Sequence, residues 1–262
     1  EEKERYKKMK KIFDSHFATF KFDFKLAMSA LTNEATRVML AFEYGGLNSE
    51  EWTKERIMIA AVQWNRNMQL RKEMLYTLQS KLDAAVEIAN TLKLNTILFG
   101  QTNDAADYIA EKLGDECVCY HSKLKSKEKK EAIKKLSDGR TKVKYISSVK
   151  ALEEGFNVPK LEVGINYART SKQLPQIQKN GRSNRFVEGK TSYFIELYVP
   201  SFEETDNKGK ISKYSVQDEV WLKSSLKGTP GVLWLNDINQ VFQIINQDKE
   251  NARINSLQSM VN

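Results

Sequence analysis

A glutamine, a glycine and two arginines lie close together in the segment QKNGRSNR, residues 178–185. Arg182 and Arg185 are three residues apart, so on a helical turn both guanidinium groups project from one face. A guanidinium is permanently charged and binds phosphate oxygens through a rigid fork of donors. Gly181 lies between Gln178 and the two arginines, and because it has no side chain it allows a ligand to approach closely. The pattern therefore suits a polyphosphate whose charge builds up during transfer, although an isolated arginine pair is more often a solvated basic face.

Composition sets broad limits on the partners and the compartment. The chain has 262 residues and a net charge of +8, which allows one or two domains and favours a polyanionic partner, although such charge is also ordinary in soluble proteins. Cys117 and Cys119 are placed to face the same side of a strand, and no second Cys/His cluster completes a zinc site. We therefore predict no metal ligands in the chain, and buried thiols in a reducing compartment. No apolar run is long enough to span a bilayer, and no signal peptide opens the chain.

The first third of the chain has the pattern of a helical region. Gly45 and Gly46 are the only glycines before Gly100, and all four prolines lie at or after Pro159. We therefore predict a helical connector or accessory region over residues 1–94, made of long helices that are broken once, at the glycine pair.

Short apolar runs alternate with amphipathic stretches between residues 95 and 200. The predicted strands are Thr96–Gly100, Cys117–Tyr120, Val143–Ser147, Glu162–Asn166 and Ser192–Val199. Strands separated by helical segments of this length predict an α/β fold with a mostly parallel sheet flanked by helices. In such sheets, ligands bind at the carboxyl ends of the strands. Residues 201–262 are predicted to form a C-terminal helical extension.

Four segments carry motifs that are specific as a set. They are ILFGQTNDAADYIAEKL at 97–113, YHSKL at 120–124, ISSVKALEEGFNVP at 146–159 and QIQKNGRSNR at 176–185. In this order and at this spacing they resemble successive motifs of the second RecA-like domain of superfamily 2 helicases, most closely the repair-type and phage DNA helicases. The resemblance covers about residues 80–200 and implies a RecA-like fold for residues 95–200, with helical additions on either side.

The resemblance implies a role in binding ATP for the arginine-rich motif. Gln178, Arg182 and Arg185 would reach the γ-phosphate of ATP from across a cleft, with the arginines acting as fingers that stabilise the transferring charge. The residues assigned beside the bound nucleotide are Gly155, Asn157 and Gly181.

The resemblance also implies a face that contacts nucleic acid. The residues assigned to it follow the ends of predicted strands and are Gln101, Thr102, Asn103, Ser147, Ser148, Lys150, Thr170, Ser171 and Lys172. Contacts of this kind hold the phosphate backbone without reading sequence. Each of these residues could equally be a loop cap or a solvated polar residue. His121 could touch nucleic acid, but a lone histidine after a strand is more often structural.

Other motifs of such motors are missing from the chain. The GKT at 189–191 lacks the glycine that a phosphate-binding loop requires five residues earlier, and no DEAD- or DEAH-type tetrapeptide is present to hold magnesium. We therefore expect ATP and Mg²⁺ as cofactors, with the phosphate cradle and the metal ligands supplied by an N-terminal RecA-like domain absent from this chain. The chain alone is predicted to hydrolyse ATP negligibly.

The sequence as a whole thus predicts the C-terminal motor domain of an ATP-dependent DNA helicase or translocase. Its expected partners are DNA, as a single strand or branched duplex, and the N-terminal RecA-like domain, with no membrane. The expected location is the cytoplasm of a bacterial cell or of a phage-infected host. The alternatives are an RNA helicase, the motor of a restriction enzyme, or a non-catalytic nucleic-acid-binding module with a helicase-like fold.

Overall fold

The structure, a computed structural model, describes residues 1–46, 49–138, 140–149, 161–169 and 192–261. They divide into two compact units, Glu1–Leu75 and Tyr76–Asn262. None of the described helices is long and apolar enough to cross a membrane.

The first unit is helical. Its helices are α1 (Glu2–Ala18), α2 (Phe24–Thr32), α3 (Glu34–Gly45) and α4 (Lys54–Tyr76). The carboxylate of Asp23 accepts hydrogen bonds from the first backbone N–H groups of α2, and the side chain of Asn33 does the same for α3. Because these caps begin new helices, the chain is broken near Asp23 and Asn33 as well as after Gly45, so the prediction of a single break at the glycine pair was wrong.

An aromatic cluster forms the core of this unit. The ring of Trp64 on α4 is fully buried. Its centroid lies 6.3 Å from that of Phe13, 5.5 Å from that of Phe17 and 6.4 Å from that of Phe20. Large aromatic side chains bury much apolar surface each, so this cluster holds the helices together.

The second unit is an α/β layered fold. Its central elements are α5 (Gln79–Leu92), β1 (Thr96–Gly100), α6 (Asn103–Leu113), β2 (Cys117–Tyr120), α7 (Ser126–Ser137), β3 (Tyr145–Val149), β4 (Val163–Asn166) and β5 (Tyr193–Glu196). The five strands pair in the order β2-β3-β1-β4-β5, and every pairing is parallel. This confirms the predicted α/β fold with a mostly parallel sheet.

Both faces of the sheet are covered. Leu98 on β1 packs into the cluster that contains apolar residues of α5 and α6, such as Ile88 and Ile109. The neighbouring residues Ile97 and Phe99 belong to a separate cluster on the other face, because successive side chains of a strand point to opposite sides. β1 is therefore buried along its whole length, as its apolar sequence predicts.

The remaining elements belong to the same unit. They are the antiparallel hairpin β6 (Phe202–Thr205) and β7 (Ile211–Tyr214), and the helices α8 (Gln217–Leu226) and α9 (Ile238–Val261). Thus the predicted helical extension over 201–262 also contains a hairpin. Moreover, α5 packs on the sheet, so the compact units divide at residue 75, whereas the predicted boundary followed residue 94.

Candidate functional site

The residues predicted to face ATP lie outside the described residues. This applies to the three assigned to the γ-phosphate and the three assigned beside the nucleotide, namely Gln178, Arg182, Arg185, Gly155, Asn157 and Gly181. The same holds for four of the predicted nucleic-acid contacts, namely Lys150, Thr170, Ser171 and Lys172. The structure does describe the strands that precede these segments in the sequence.

The first predicted contact group lies where β1 leads into α6. Gln101, Thr102 and Asn103 are all partly exposed. The Thr102 hydroxyl caps α6 by accepting a hydrogen bond from the backbone N–H of Ala105 at 3.4 Å. The positive end of the α6 dipole therefore lies at the carboxyl end of the central strand, where it favours an anionic group.

The second predicted contact group needs correction. Ser147 and Ser148 were expected to follow a strand, but both lie within β3, which extends to Val149. Their exposed fractions are 0% and 1%. β3 lies between β2 and β1 in the sheet, and all five of its residues are buried, so these side chains are part of the interior.

A close contact shapes the carboxyl end of β1. A Cβ atom at Gly100 would lie 2.1 Å from the hydroxyl oxygen of Tyr167, which follows β4 and is fully buried. No real Cβ contact is that short, so a glycine is required here. Burial raises the pKa of Tyr167, and the phenol therefore stays neutral.

A buried ionic cluster lies at the carboxyl ends of β4 and β5. We call it the Arg169 cluster; it comprises Arg169, Glu196, Asn166 and Ser225. The Arg169 guanidinium lies 3.1 Å from the Glu196 carboxylate and donates a hydrogen bond to Ser225. The Asn166 amide donates to Glu196 at 2.8 Å. Sequence reasoning missed this cluster, which directly precedes Thr170, the first residue of the third predicted contact group.

A second polar cluster lies at the opposite side of the sheet. We call it the Asp107 cluster; it comprises Asp107 on α6, Cys119 on β2 and His121 just after β2. The Asp107 Oδ1 atom is 2.9 Å from Nε2 of His121 and 3.3 Å from Sγ of Cys119. The sequence predicted no metal ligands, but these side chains form a set that could hold a metal ion.

The electrostatics of the Asp107 cluster follow from its hydrogen bonds. Burial raises the pKa of Asp107, but the hydrogen bonds from His121 and Cys119 outweigh it, so the pKa lies below its ordinary value. Burial, then the hydrogen bond to Asp107, raises the pKa of Cys119. Without a bound cation, the cluster therefore contains a carboxylate and a neutral thiol.

Positive charge is concentrated on α7, a feature that sequence reasoning did not use. The exposed lysines of this helix are Lys127, Lys130, Lys134 and Lys135. Only Glu128 and Glu131 oppose them on the helix, and Glu131 pairs with Lys135 at 3.2 Å. α7 packs against β2, and its Leu136 joins the apolar cluster on the face of the sheet opposite to α6.

Comparison with known proteins places this fold. Residues 80–187, less than half of the chain, match the model of the helicase conserved C-terminal domain. The C-terminal domain of the DEAD-box protein Dbp5 is 19% identical at a TM-score of 0.50, covering 66% of this chain and 93% of that domain. No curated protein sequence matches.

Longer solved structures resemble the chain over only part of their length. Dbp5 of S. cerevisiae bound to RNA and ADP BeF3 is 19% identical at a TM-score of 0.49, covering 64% of this chain and 41% of that one. The DUF1998 helicase MrfA bound to DNA and AMPPNP is 20% identical at a TM-score of 0.40, covering 44% and 17%. Residues 80–187 are thus similar in sequence to the helicase conserved C-terminal domain, and the described part of this region shares the fold of the C-terminal domain of Dbp5.

Proposed function

We propose that this chain is the C-terminal motor domain of an ATP-dependent DNA helicase or translocase acting in the cytoplasm. The observation that carries the proposal is the family match over residues 80–187, a range that includes the QKNGRSNR motif. In this proposal an N-terminal RecA-like domain outside the chain supplies the phosphate cradle and the Mg²⁺ ligands.

The arginine-rich motif has the cationic groups that an ATP-binding pocket between two domains needs from its second domain. Hydrolysis of bound ATP supplies the free energy for movement. Arg182 and Arg185 would neutralise charge on the phosphate oxygens, since guanidinium groups bind them bidentately. Gln178 would orient polar atoms of the same pocket, while Gly155, Asn157 and Gly181 would border the nucleotide.

The strand-binding face is proposed at the carboxyl ends of the strands. The amino terminus of α6, capped by Thr102, would receive a phosphate together with Gln101 and Asn103. Lys150 and residues 170–172 would extend this face. Ser147 and Ser148 are assigned a packing role instead, since both are buried in β3.

Exposed lysines support a polyanionic partner without selecting between DNA and RNA. The basic surface of α7 and the net charge of +8 would attract either phosphate backbone. The preference for DNA rests on the sequences of the motifs at 146–159 and 176–185, which resemble those of repair-type and phage DNA helicases. The experiment must therefore distinguish RNA from DNA as the bound strand.

The decisive experiment measures strand-stimulated ATPase activity of the full-length protein with DNA and with RNA. Arg182→Ala and Arg185→Ala should each lower the stimulated rate by about 10³-fold or more, because each removes a finger from the transferring phosphoryl group. Arg140→Ala, at an exposed arginine in the turn before β3, is the matched control and should leave the rate unchanged.

Three results would contradict the proposal in different ways. A stimulated rate that is unchanged in Arg185→Ala would show that Arg185 does not stabilise the transferring phosphoryl group. Stimulation by RNA alone would replace DNA with RNA as the strand. Strand binding without any stimulated hydrolysis would favour a non-catalytic nucleic-acid-binding module.

A further inference from the structure

The Asp107 cluster brings three different ligand types together. A carboxylate oxygen of Asp107, the sulfur of Cys119 and a ring nitrogen of His121 all lie within 4.8 Å of one another. Oxygen, sulfur and imidazole nitrogen are the three donor types that zinc uses in proteins. Thiolate and imidazole together favour zinc and similar transition metals over Mg²⁺ or Ca²⁺, which prefer oxygen alone.

The observed spacing suits tetrahedral coordination. Bond lengths of about 2.0–2.3 Å at a tetrahedral angle place neighbouring ligand atoms about 3.4–3.6 Å apart. The separations here are 2.9 Å between His121 Nε2 and Asp107 Oδ1, and 3.3 Å between Cys119 Sγ and the same oxygen. For these two pairs, inserting a metal ion requires the ligand atoms to separate by only about 0.5 Å or less. The remaining pair, Cys119 Sγ and the His121 ring nitrogen, lies within 4.8 Å.

The framework holds the ligands while leaving one side open. Cys119 belongs to β2 and His121 follows it directly, and α6, which carries Asp107, packs on β2. The side chain of His121 is 5% exposed, whereas that of Asp107 is 54% exposed. A metal ion here would thus have three protein ligands and a solvent-facing fourth position, as in open zinc sites.

The ring nitrogens of His121 are compatible with this role. Nε2 faces Asp107, and Nδ1 is buried without a hydrogen-bond partner among the residues that the structure describes. Nε2 is therefore the ring nitrogen placed to coordinate a metal ion, with the ring proton on Nδ1.

We propose that Asp107, Cys119 and His121 form a binding site for Zn²⁺, distinct from the ATP and Mg²⁺ site of the proposed motor. On binding, the Cys119 thiol loses its proton to solvent and the sulfur becomes a thiolate ligand. Asp107 coordinates as the carboxylate and His121 as the neutral imidazole. No oxidation or reduction takes place.

The experiment titrates the purified 262-residue chain with Co²⁺ and Zn²⁺ alone. Co²⁺ in the site should give a near-ultraviolet thiolate-to-cobalt absorption band and intense visible bands typical of tetrahedral geometry. One equivalent of Zn²⁺ should displace the cobalt, so that the near-ultraviolet band and the visible bands both disappear. A Zn²⁺ affinity is then measured by competition with a chromophoric chelator.

The chain offers closely matched variants, since it contains two cysteines and two histidines, one of each in the cluster. Cys119→Ala should abolish the near-ultraviolet band, and His121→Gln should remove the tetrahedral spectrum. Cys117→Ala and His16→Gln are the controls and should leave the spectrum and the affinity unchanged. Asp107→Asn replaces an exposed residue and so keeps the fold, and it should weaken Zn²⁺ binding by at least about 10-fold.

The opposite results would overturn the proposal. They are the absence of a thiolate-to-cobalt band in the unsubstituted chain, a band that survives Cys119→Ala but disappears with Cys117→Ala, or an unchanged Zn²⁺ affinity in Asp107→Asn. Any of them would mean that the three side chains form only a hydrogen-bonded cluster.

Discussion

Two polar clusters lie at the outermost strands of the described sheet, and they differ in how far water reaches them. The Arg169 cluster follows β4 and β5, and its two charged side chains are 1% and 9% exposed. The Asp107 cluster lies beside β2, and its carboxylate is 54% exposed. Both lie near carboxyl strand ends, where the fold places ligands, but only the second is open to one.

The difference shows how to separate structural charges from functional ones in this fold. A buried ion pair is fixed by its partners, and removing one partner leaves an uncompensated charge in a medium that solvates it poorly. A carboxylate that is more than half exposed, as Asp107 is, contributes little to stability, because water replaces the contacts that it loses. We therefore assign the Arg169 cluster to stability and the Asp107 cluster to binding.

Replacing Arg169 should have the largest effect on stability. Arg169→Met removes the cation that lies 3.1 Å from the buried Glu196 carboxylate, so we expect the free energy of unfolding to fall by about 3–5 kcal/mol. Urea denaturation followed by circular dichroism measures this loss.

Neutralising the partner provides the control for that variant. In Arg169→Met with Glu196→Gln, both charges of the ion pair are removed. The amide oxygen introduced by the second substitution can still accept from the Asn166 amide, so much of the loss should be recovered. If Arg169→Met costs less than about 1 kcal/mol, the cluster is not closed and the contrast with the Asp107 cluster fails.

An intermediate effect on the free energy of unfolding is expected from a substitution at the end of β1. Gly100→Ala would place a methyl group 2.1 Å from the Tyr167 hydroxyl and 2.7 Å from the ring carbon that bears it. We expect a loss of about 1–3 kcal/mol in urea denaturation, because a buried ring cannot move aside freely.

Adding Tyr167→Phe to Gly100→Ala tests whether that clash is the cause. The second substitution removes the nearer of the two atoms, so it should recover part of the stability lost in Gly100→Ala. A double variant no more stable than the single one would place the strain elsewhere at this strand end.

Hydrophobic patterning predicted the sheet because its strands are short apolar runs. Thr96–Gly100 and Cys117–Tyr120 have the bounds that the sequence predicts. β3 begins two residues later than predicted, at Tyr145, and buried Ser147 and Ser148 continue the strand as polar residues that patterning assigns to its end. The hairpin at 202–214 was missed because its strands alternate half-buried and exposed residues, a much weaker signal.

The two polar clusters were harder to predict because their members are distant in sequence. Arg169 and Glu196 meet only because β4 and β5 are neighbours in the sheet. Asp107 meets Cys119 only because α6 packs on β2. One signal was present, since Cys119 and His121 are two residues apart and therefore point to the same side of an extended chain. The third member of the cluster, Asp107, is a carboxylate on a helix, a residue type that a pattern of cysteines and histidines alone does not contain.

The smallest effect is expected from Asp107→Asn, measured with a chelator present so that no metal contributes. Burial raises the pKa of Asp107, but hydrogen bonds from His121 and Cys119 lower it further, so the folded value lies below the unfolded value of about 3.9. The stabilisation by the charged form is therefore complete above that pH and disappears as the pH falls through the folded pKa.

We accordingly expect Asp107→Asn to cost less than about 1 kcal/mol at neutral pH, since the carboxylate is more than half exposed, and to cost nothing in strong acid. Urea denaturation at both pH values measures the difference. Asp104→Asn is the matched control, because it removes a charge from the same helix without touching the cluster, and it should lack any pH dependence arising from His121 and Cys119. A cost at neutral pH as large as that of Arg169→Met would make the Asp107 cluster a structural one, because an open cluster of exchangeable ligands cannot contribute stability on that scale.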